Sequence, residues 1–233
     1  MKVSRLRFSK LVIAGAILLW SALVLASGDG SGVTADEGLQ RLLDGNKRYV
    51  EGKMNACRET TAAAREKLAK GQQPYAIILS CSDSRVPPEI IFDKGLGEIF
   101  VVRVAGNVPD PIILGSIEYA AEHLGSRLVM VLGHQRCGAV TAAVDARGKP
   151  EGNIGAIIKT IAPAVKQAKT EYKGKEKGEL VETAINDNVK LVAANITKQS
   201  SVLKNFVKEG KVKIVAAKYD LDDGKVTLLD TKN

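Results

Sequence analysis

Aromatic residues are scarce in this 233-residue chain: four Phe, five Tyr and one Trp. No basic stripe interleaved with aromatics occurs, so nucleic-acid binding is set aside. Histidine is scarcer still, at two, and cysteine stops at three. An odd cysteine count leaves at least one thiol unpaired. There is no twin-arginine pair near the start, no internal repeat and no sign of a second folded domain. What remains is ordinary globular composition, 26% charged and 45% hydrophobic.

The formal net charge of +8 overstates the basic character of the body of the chain. Lys2, Arg5, Arg7 and Lys10 supply four of the positive charges and precede an apolar block, Leu11 to Leu25, that exits through Ala26. A basic stretch, a short apolar core and a small-residue exit read as a signal peptide over residues 1–26, hence an exported, periplasmic protein. The block is short for a membrane span, which needs about 20 apolar residues; an uncleaved anchor, and with it a membrane attachment, is the alternative. Residues 27–35, with Gly28 to Gly32 reading GDGSG, form a flexible linker. Residues 36–233 are expected to be one folded domain.

Thr34 to Glu37 fits a capping box, and Leu39, Leu42, Leu43, Tyr49 and Val50 recur at helical spacing, giving an amphipathic N-terminal helical arm. A second, polar helix is expected from Glu59 to Lys70. Strands and helices then alternate. Strands are expected at Tyr75–Ser80, Glu98–Val104, Arg127–Leu132 and Lys213–Tyr219, with a short antiparallel strand at Lys225–Leu229. Helices are expected at Pro111–Leu124, Gly138–Ala146, Ile154–Lys169 and Leu180–Lys208. Continuously apolar strands separated by helices imply a parallel sheet covered on both faces. The expected fold is α/β: a single domain with a mainly parallel four-stranded sheet, one short antiparallel edge strand, helices on both faces and the N-terminal arm.

Two stretches carry chemistry. Cys81-Ser82-Asp83-Ser84-Arg85 follows the first strand, and Gly133-His134-Gln135-Arg136-Cys137-Gly138 follows the third. Ligands of open parallel sheets collect past the C-terminal strand ends, where strand order reverses. If the first and third strands flank that reversal, Cys81, His134 and Cys137 converge. Two thiolates and an imidazole suit Zn2+, and three protein ligands leave a fourth position for catalysis. Asp83 is placed to control that position by orienting a water whose pKa zinc lowers towards about 7. Arg85 is placed to hold Asp83 with a bidentate pair.

The CxDxR and GHxxCGA patterns resemble the beta-class carbonic anhydrases. Asn46-Lys47-Arg48-Tyr49, Gly71-Gln72-Gln73-Pro74, Phe100 to Asn107 and Gly115 to Ala120 are similar to that family too, so the likeness covers most of residues 36–230. The resemblance implies reversible hydration of carbon dioxide by zinc hydroxide, with one zinc per chain on Cys81, His134 and Cys137 and the dyad Asp83 and Arg85 beside it. It implies substrate contacts from Gln72, Phe100, Tyr119 and the Gly138 amide, several of them supplied by a neighbouring subunit of a homodimer or homotetramer. With His134 spent on metal, only His123 remains, on the helix from Pro111 and without a shuttle role. Three alternatives stay open at this level. The same site can hydrolyse carbonyl sulfide or carbon disulfide, it can be an inert zinc or redox-sensing site, or Cys81 and Cys137 can form a disulfide. Cys57 is expected to be a bystander.

Overall fold

The structure, a computed structural model, describes residues 30–56, 60–148, 150 and 152–230. The expected signal segment, the start of the linker and Cys57 lie outside the described residues. No helix among the described residues is long and apolar enough to cross a membrane.

Five strands form one sheet: β1 (Ala76–Ser80), β2 (Ile99–Arg103), β3 (Leu128–His134), β4 (Lys213–Tyr219) and β5 (Val226–Leu229). Their order is β2-β1-β3-β4-β5. The pairs β1–β2, β1–β3 and β3–β4 are parallel, and β4–β5 is antiparallel. The expected four parallel strands and one antiparallel edge strand are therefore present. The order reverses between β1 and β3, so a crevice opens beyond their C-terminal ends.

Successive side chains on a strand point to opposite faces. Ile77, Leu79, Val129 and Val131 pack into one core with α4 (Pro111–Glu122), α7 (Lys177–Gln199) and α8 (Ser201–Lys208). Ala76, Ile78, Leu128, Met130 and Leu132 pack into another, covered by α1 (Ala35–Val50) and α3 (Pro88–Ile91). The N-terminal arm thus spends its apolar side on its own chain: Leu42 is fully buried, and Asn46 Nδ2 donates to the carbonyls of Ile91 and Gly224. Thr34 caps this helix as expected, accepting from the Glu37 amide.

Most boundaries shift by one to three residues, and three differences have a clear physical cause. The polar helix α2 covers only Ala62–Leu68, starting where the Thr61 side chain accepts from Ala64 N. Strand β3 runs two residues further, because Gly133 and His134 continue the pairing with Lys218 and Tyr219 of β4. Gly133 permits this: a Cβ there would lie 2.2 Å from Val189 Cγ2 on α7. The expected helix Leu180–Lys208 is two helices, parted at Ser200, which leaves helical geometry and caps α8 by accepting from Leu203 N. Both halves face one core, so the apolar rhythm carries across the break. The remaining helices are α5 (Gly138–Asp145) and α6 (Ile154–Glu171).

Candidate metal centre

Cys81 is the first residue past β1, His134 is the last residue of β3, and Cys137 is the N-cap of α5. Neighbouring parallel strands in register deliver the first two to the same crevice, since Ser80 pairs with Leu132. The turn from His134 back to Cys137 is tight, and Arg136 occupies the left-handed region at φ 51°. That conformation is unusual for a residue with a side chain and persists only where the surroundings fix it. Here Arg136 N donates to Glu182 Oε1 at 2.8 Å, and its guanidinium forks onto Asp222 at 2.7 and 2.9 Å. Gln135 adds a second clamp, donating to Asp220 Oδ2 and accepting from Leu221 N.

The ligand atoms of Cys81, His134 and Cys137 all lie within 4.8 Å of one another, and all three residues are buried. Zinc–sulfur bonds are about 2.3 Å and zinc–nitrogen bonds about 2.0–2.1 Å, so one ion can reach all three. His134 Nδ1 lies 2.8 Å from the Gln135 carbonyl oxygen, which can only accept, so Nδ1–H donates and the Nε2 lone pair faces the thiols. Nε2 is buried with no hydrogen-bond partner. An orphaned imidazole nitrogen beside two free thiols is costly unless a cation takes them up.

The two neighbouring thiols are biased in opposite directions. Cys81 is pulled down, chiefly by the Cys137 thiol, with burial opposing and His134 and the Gly106 amide assisting. Cys137 is pushed well up by the Cys81 thiol and by burial. The apolar cluster around them, including Val140, Ile161, Val165 and Ile185, makes a second thiolate expensive without a cation. The donor set therefore fits a zinc ion.

Asp83 sits at the open side, with Oδ2 3.8 Å from His134 Nε2. Arg85 grips it bidentately, Nε to Oδ1 at 2.9 Å and Nη2 to Oδ2 at 2.8 Å, and the Arg85 amide adds a third bond to Oδ1 at 3.0 Å. This grip holds the carboxyl well below the usual carboxylate range, burial opposing. Gly138 opens α5 with free space beside its Cα.

The other expected pocket residues lie elsewhere on this chain. Gln72 is exposed and lines a surface depression with Arg65, Leu68 and Gly97, which no cluster residue lines. Phe100 and Tyr119 form a ring pair at 6.3 Å, with Tyr119 half exposed. His123 is exposed beside Tyr119, at 5.3 Å between ring centroids.

Two supporting residues escaped sequence reading. Arg103 ends β2 and donates to the carbonyls of Cys81 at 3.0 Å and Asp83 at 2.6 Å, fixing the path of the loop. Asn188 on α7 donates to Gly106 O at 2.9 Å, and Gly106 N donates to Cys81 Sγ at 3.3 Å. Gly106 needs to be glycine: its φ is +71°, and a Cβ would lie 2.8 Å from Ile161 Cδ1. The available signals were a cation ending an apolar strand and an amide on the apolar face of a helix.

Comparison with known proteins agrees with this geometry. The family profile described as carbonic anhydrase matches residues 76–226. Carbonic anhydrase 2 of Mycobacterium tuberculosis is 39% identical over 192 residues, covering 81% of this chain and 90% of that protein. A carbonic anhydrase of Mycolicibacterium smegmatis is 37% identical, covering 80% and 89%. Among solved structures, a beta-carbonic anhydrase of Aspergillus fumigatus superposes with a TM-score of 0.69 at 27% identity, covering 84% of this chain and 92% of that one. The chain belongs to the carbonic anhydrase family, in its beta class.

Proposed function

We propose that one zinc ion per chain, held by Cys81, His134 and Cys137, serves the reversible hydration of carbon dioxide to bicarbonate that this family performs. The observation that carries the reading is three buried donors within 4.8 Å of one another, with an ionised carboxylate at their open side. Zinc in such a site supplies the Lewis acidity that lets a water ionise near neutral pH. The chain's own residues do the rest. Asp83, locked by Arg85, accepts a hydrogen bond from the attacking water and turns its lone pair towards the substrate carbon. The Arg103 contact to its main-chain carbonyl fixes the backbone from which Asp83 projects. The Gly138 amide steadies the product oxygen from the start of α5.

In this reading Gln72, Phe100 and Tyr119 complete the pocket of a neighbouring copy. Gln72 lies apart from its own cluster. Strand β2 stands at the sheet edge, with exposed Ile112 and Tyr119 close by on α4. An unpaired edge beside exposed apolar residues favours a homodimer or a homotetramer built from it. Residues 1–26 direct export to the periplasm in the same reading, which N-terminal sequencing of the purified protein checks.

Stopped-flow hydration of carbon dioxide by the zinc-loaded protein at about pH 8.5 tests the reaction. Acceleration over buffer together with one zinc per chain is expected. Zinc bound without acceleration would sink the catalytic reading. Faster release of hydrogen sulfide from carbonyl sulfide would replace the substrate.

A further inference from the structure

The parallel strands have two ends, and the metal centre uses only one. At the other end, where β3 and β4 begin, a depression of about 840 Å³ is lined by Arg127, Lys198, Lys211 and Lys213, with Thr34, Ala35 and Asp36 at its rim. Lys213 is held by Asp36 and Lys211 by Glu209, each at 2.7 Å. Arg127 and Lys198 are exposed and have no ion pair among the described residues, and the same holds for Lys204 and Lys208 on α8, the helix that also offers exposed Val207. Arg127 and Lys198 line the depression, and so does Val207, which lies three residues after Lys204 and one before Lys208 on α8. Cations without partners so grouped repel one another and gain from an anionic surface.

The N-terminal portion of the chain enters at this same end. Gly30 packs on Gly125, so closely that a Cβ on it would lie 2.6 Å from Gly125 O, two residues before Arg127. The apolar block that ends at Leu25 is only five residues upstream of Gly30. The four residues between them, Ala26 to Asp29, make five Cα steps that span about 12 Å on average and at most about 18 Å. A flexible tether that short lets the basic end approach a bilayer holding residues 11–25 to within the Debye length of about 8 Å, the range in which surface charges act at physiological salt.

We propose that this face, centred on Arg127, Lys198, Lys204 and Lys208, docks on the anionic phospholipid headgroups of a membrane. Each cation brought near such a surface contributes to binding, and clusters of four or more are the usual scale for recognition of anionic lipid. Docking in this pose turns the C-terminal strand ends, with Cys81 and His134, away from the lipid and leaves the metal crevice open to solvent. The segment 11–25 sets the pose for as long as it is present, and the charges act independently of it. The proposal does not depend on the reaction the metal centre performs.

The test is residue-resolved acetylation of lysines, read by mass spectrometry, on the full chain bound to vesicles. One set contains about a third phosphatidylglycerol and the other is phosphatidylcholine alone, each at about 50 mM and about 0.5 M salt. Expected is at least about threefold lower labelling of Lys198, Lys204 and Lys208 on the anionic vesicles at low salt, reversed at high salt. Lys175 and Lys225, remote from this face, serve as the unprotected reference. The double variant Arg127→Gln/Lys198→Gln is expected to restore most of the labelling at Lys204 and Lys208. Equal labelling on both kinds of vesicle overturns the proposal. So does protection abolished by about 10 mM inorganic phosphate, which would make the depression a small-anion pocket.

Discussion

The loop after β1 buries its ligand Cys81 but leaves Asp83 partly covered and Arg85 half open to solvent, whereas the loop after β3 buries both His134 and Cys137 almost completely. The first is held from within and by one neighbour: Arg85 folds back on Asp83, and Arg103 takes two of its carbonyls. The second is bolted to its surroundings by Gln135 and Arg136, through Asp220, Asp222, Leu221 and Glu182. A metal ligand must keep its place whether or not the metal is bound, so its loop is over-determined. A carboxylate that follows a changing substrate needs orientation with access, so its loop is short and locally braced.

If that division holds, substitutions at Asp83 and Arg85 affect turnover, whereas substitutions at the ligands Cys81, His134 and Cys137 affect metal binding. The largest effect is expected from Cys137→Ser or His134→Ala: zinc stoichiometry falls from one per chain towards zero, and activity falls by more than about 10³-fold. Next comes Asp83→Asn, expected to retain zinc while kcat/KM falls about 10²- to 10⁴-fold. Loss of zinc in this variant would break the comparison, because it would make Asp83 a holder of metal. Asn188→Ala removes the support of Gly106 and so of the amide that faces Cys81. Zinc affinity is expected to fall about 10- to 100-fold by competition with a chelator, with little change in turnover once loaded. Arg85→Ala is expected to lower kcat/KM about tenfold with zinc affinity unchanged.

The smallest effect concerns Asp187 on α7, the helix that braces the second loop. Burial pushes its carboxyl up to about 6, with Glu171 adding to the rise and Lys190 opposing it. Its Oδ2 has no partner, and Oδ1 accepts only a long bond from Gln167 at 3.3 Å. An unfolded Asp titrates near 3.9. Between about pH 4 and pH 6 the folded state therefore binds more protons than the unfolded one, and stability falls as pH rises through that window. Asp187→Asn removes the burden. It is expected to match the parent in thermal unfolding at pH 4 and to exceed it by about 1–2 kcal/mol at pH 7.

The metal centre was legible because its parts are local. Cys81, Asp83 and Arg85 sit within five residues, and His134 and Cys137 within four. The alternation of apolar strands with helices gave the parallel sheet for a similar reason, since each strand is a run of five to seven residues readable alone. The break at Ser200 was not legible, because one apolar rhythm serves both helices. Arg103 and Asn188 act only through residues 20 or more positions away.

By itself the sequence determined which atoms are available: two thiols, one imidazole and one carboxylate with its guanidinium, in short motifs at the ends of apolar strands. Only the tertiary structure decided that β1 and β3 are neighbours with the strand order reversing between them, so that donors more than fifty residues apart meet within 4.8 Å. It also decided that Arg127 and Lys198, 71 positions apart in sequence, line one depression at the opposite end. Strand pairing is a long-range choice made by packing on both faces of the sheet, and no local run of residues encodes it.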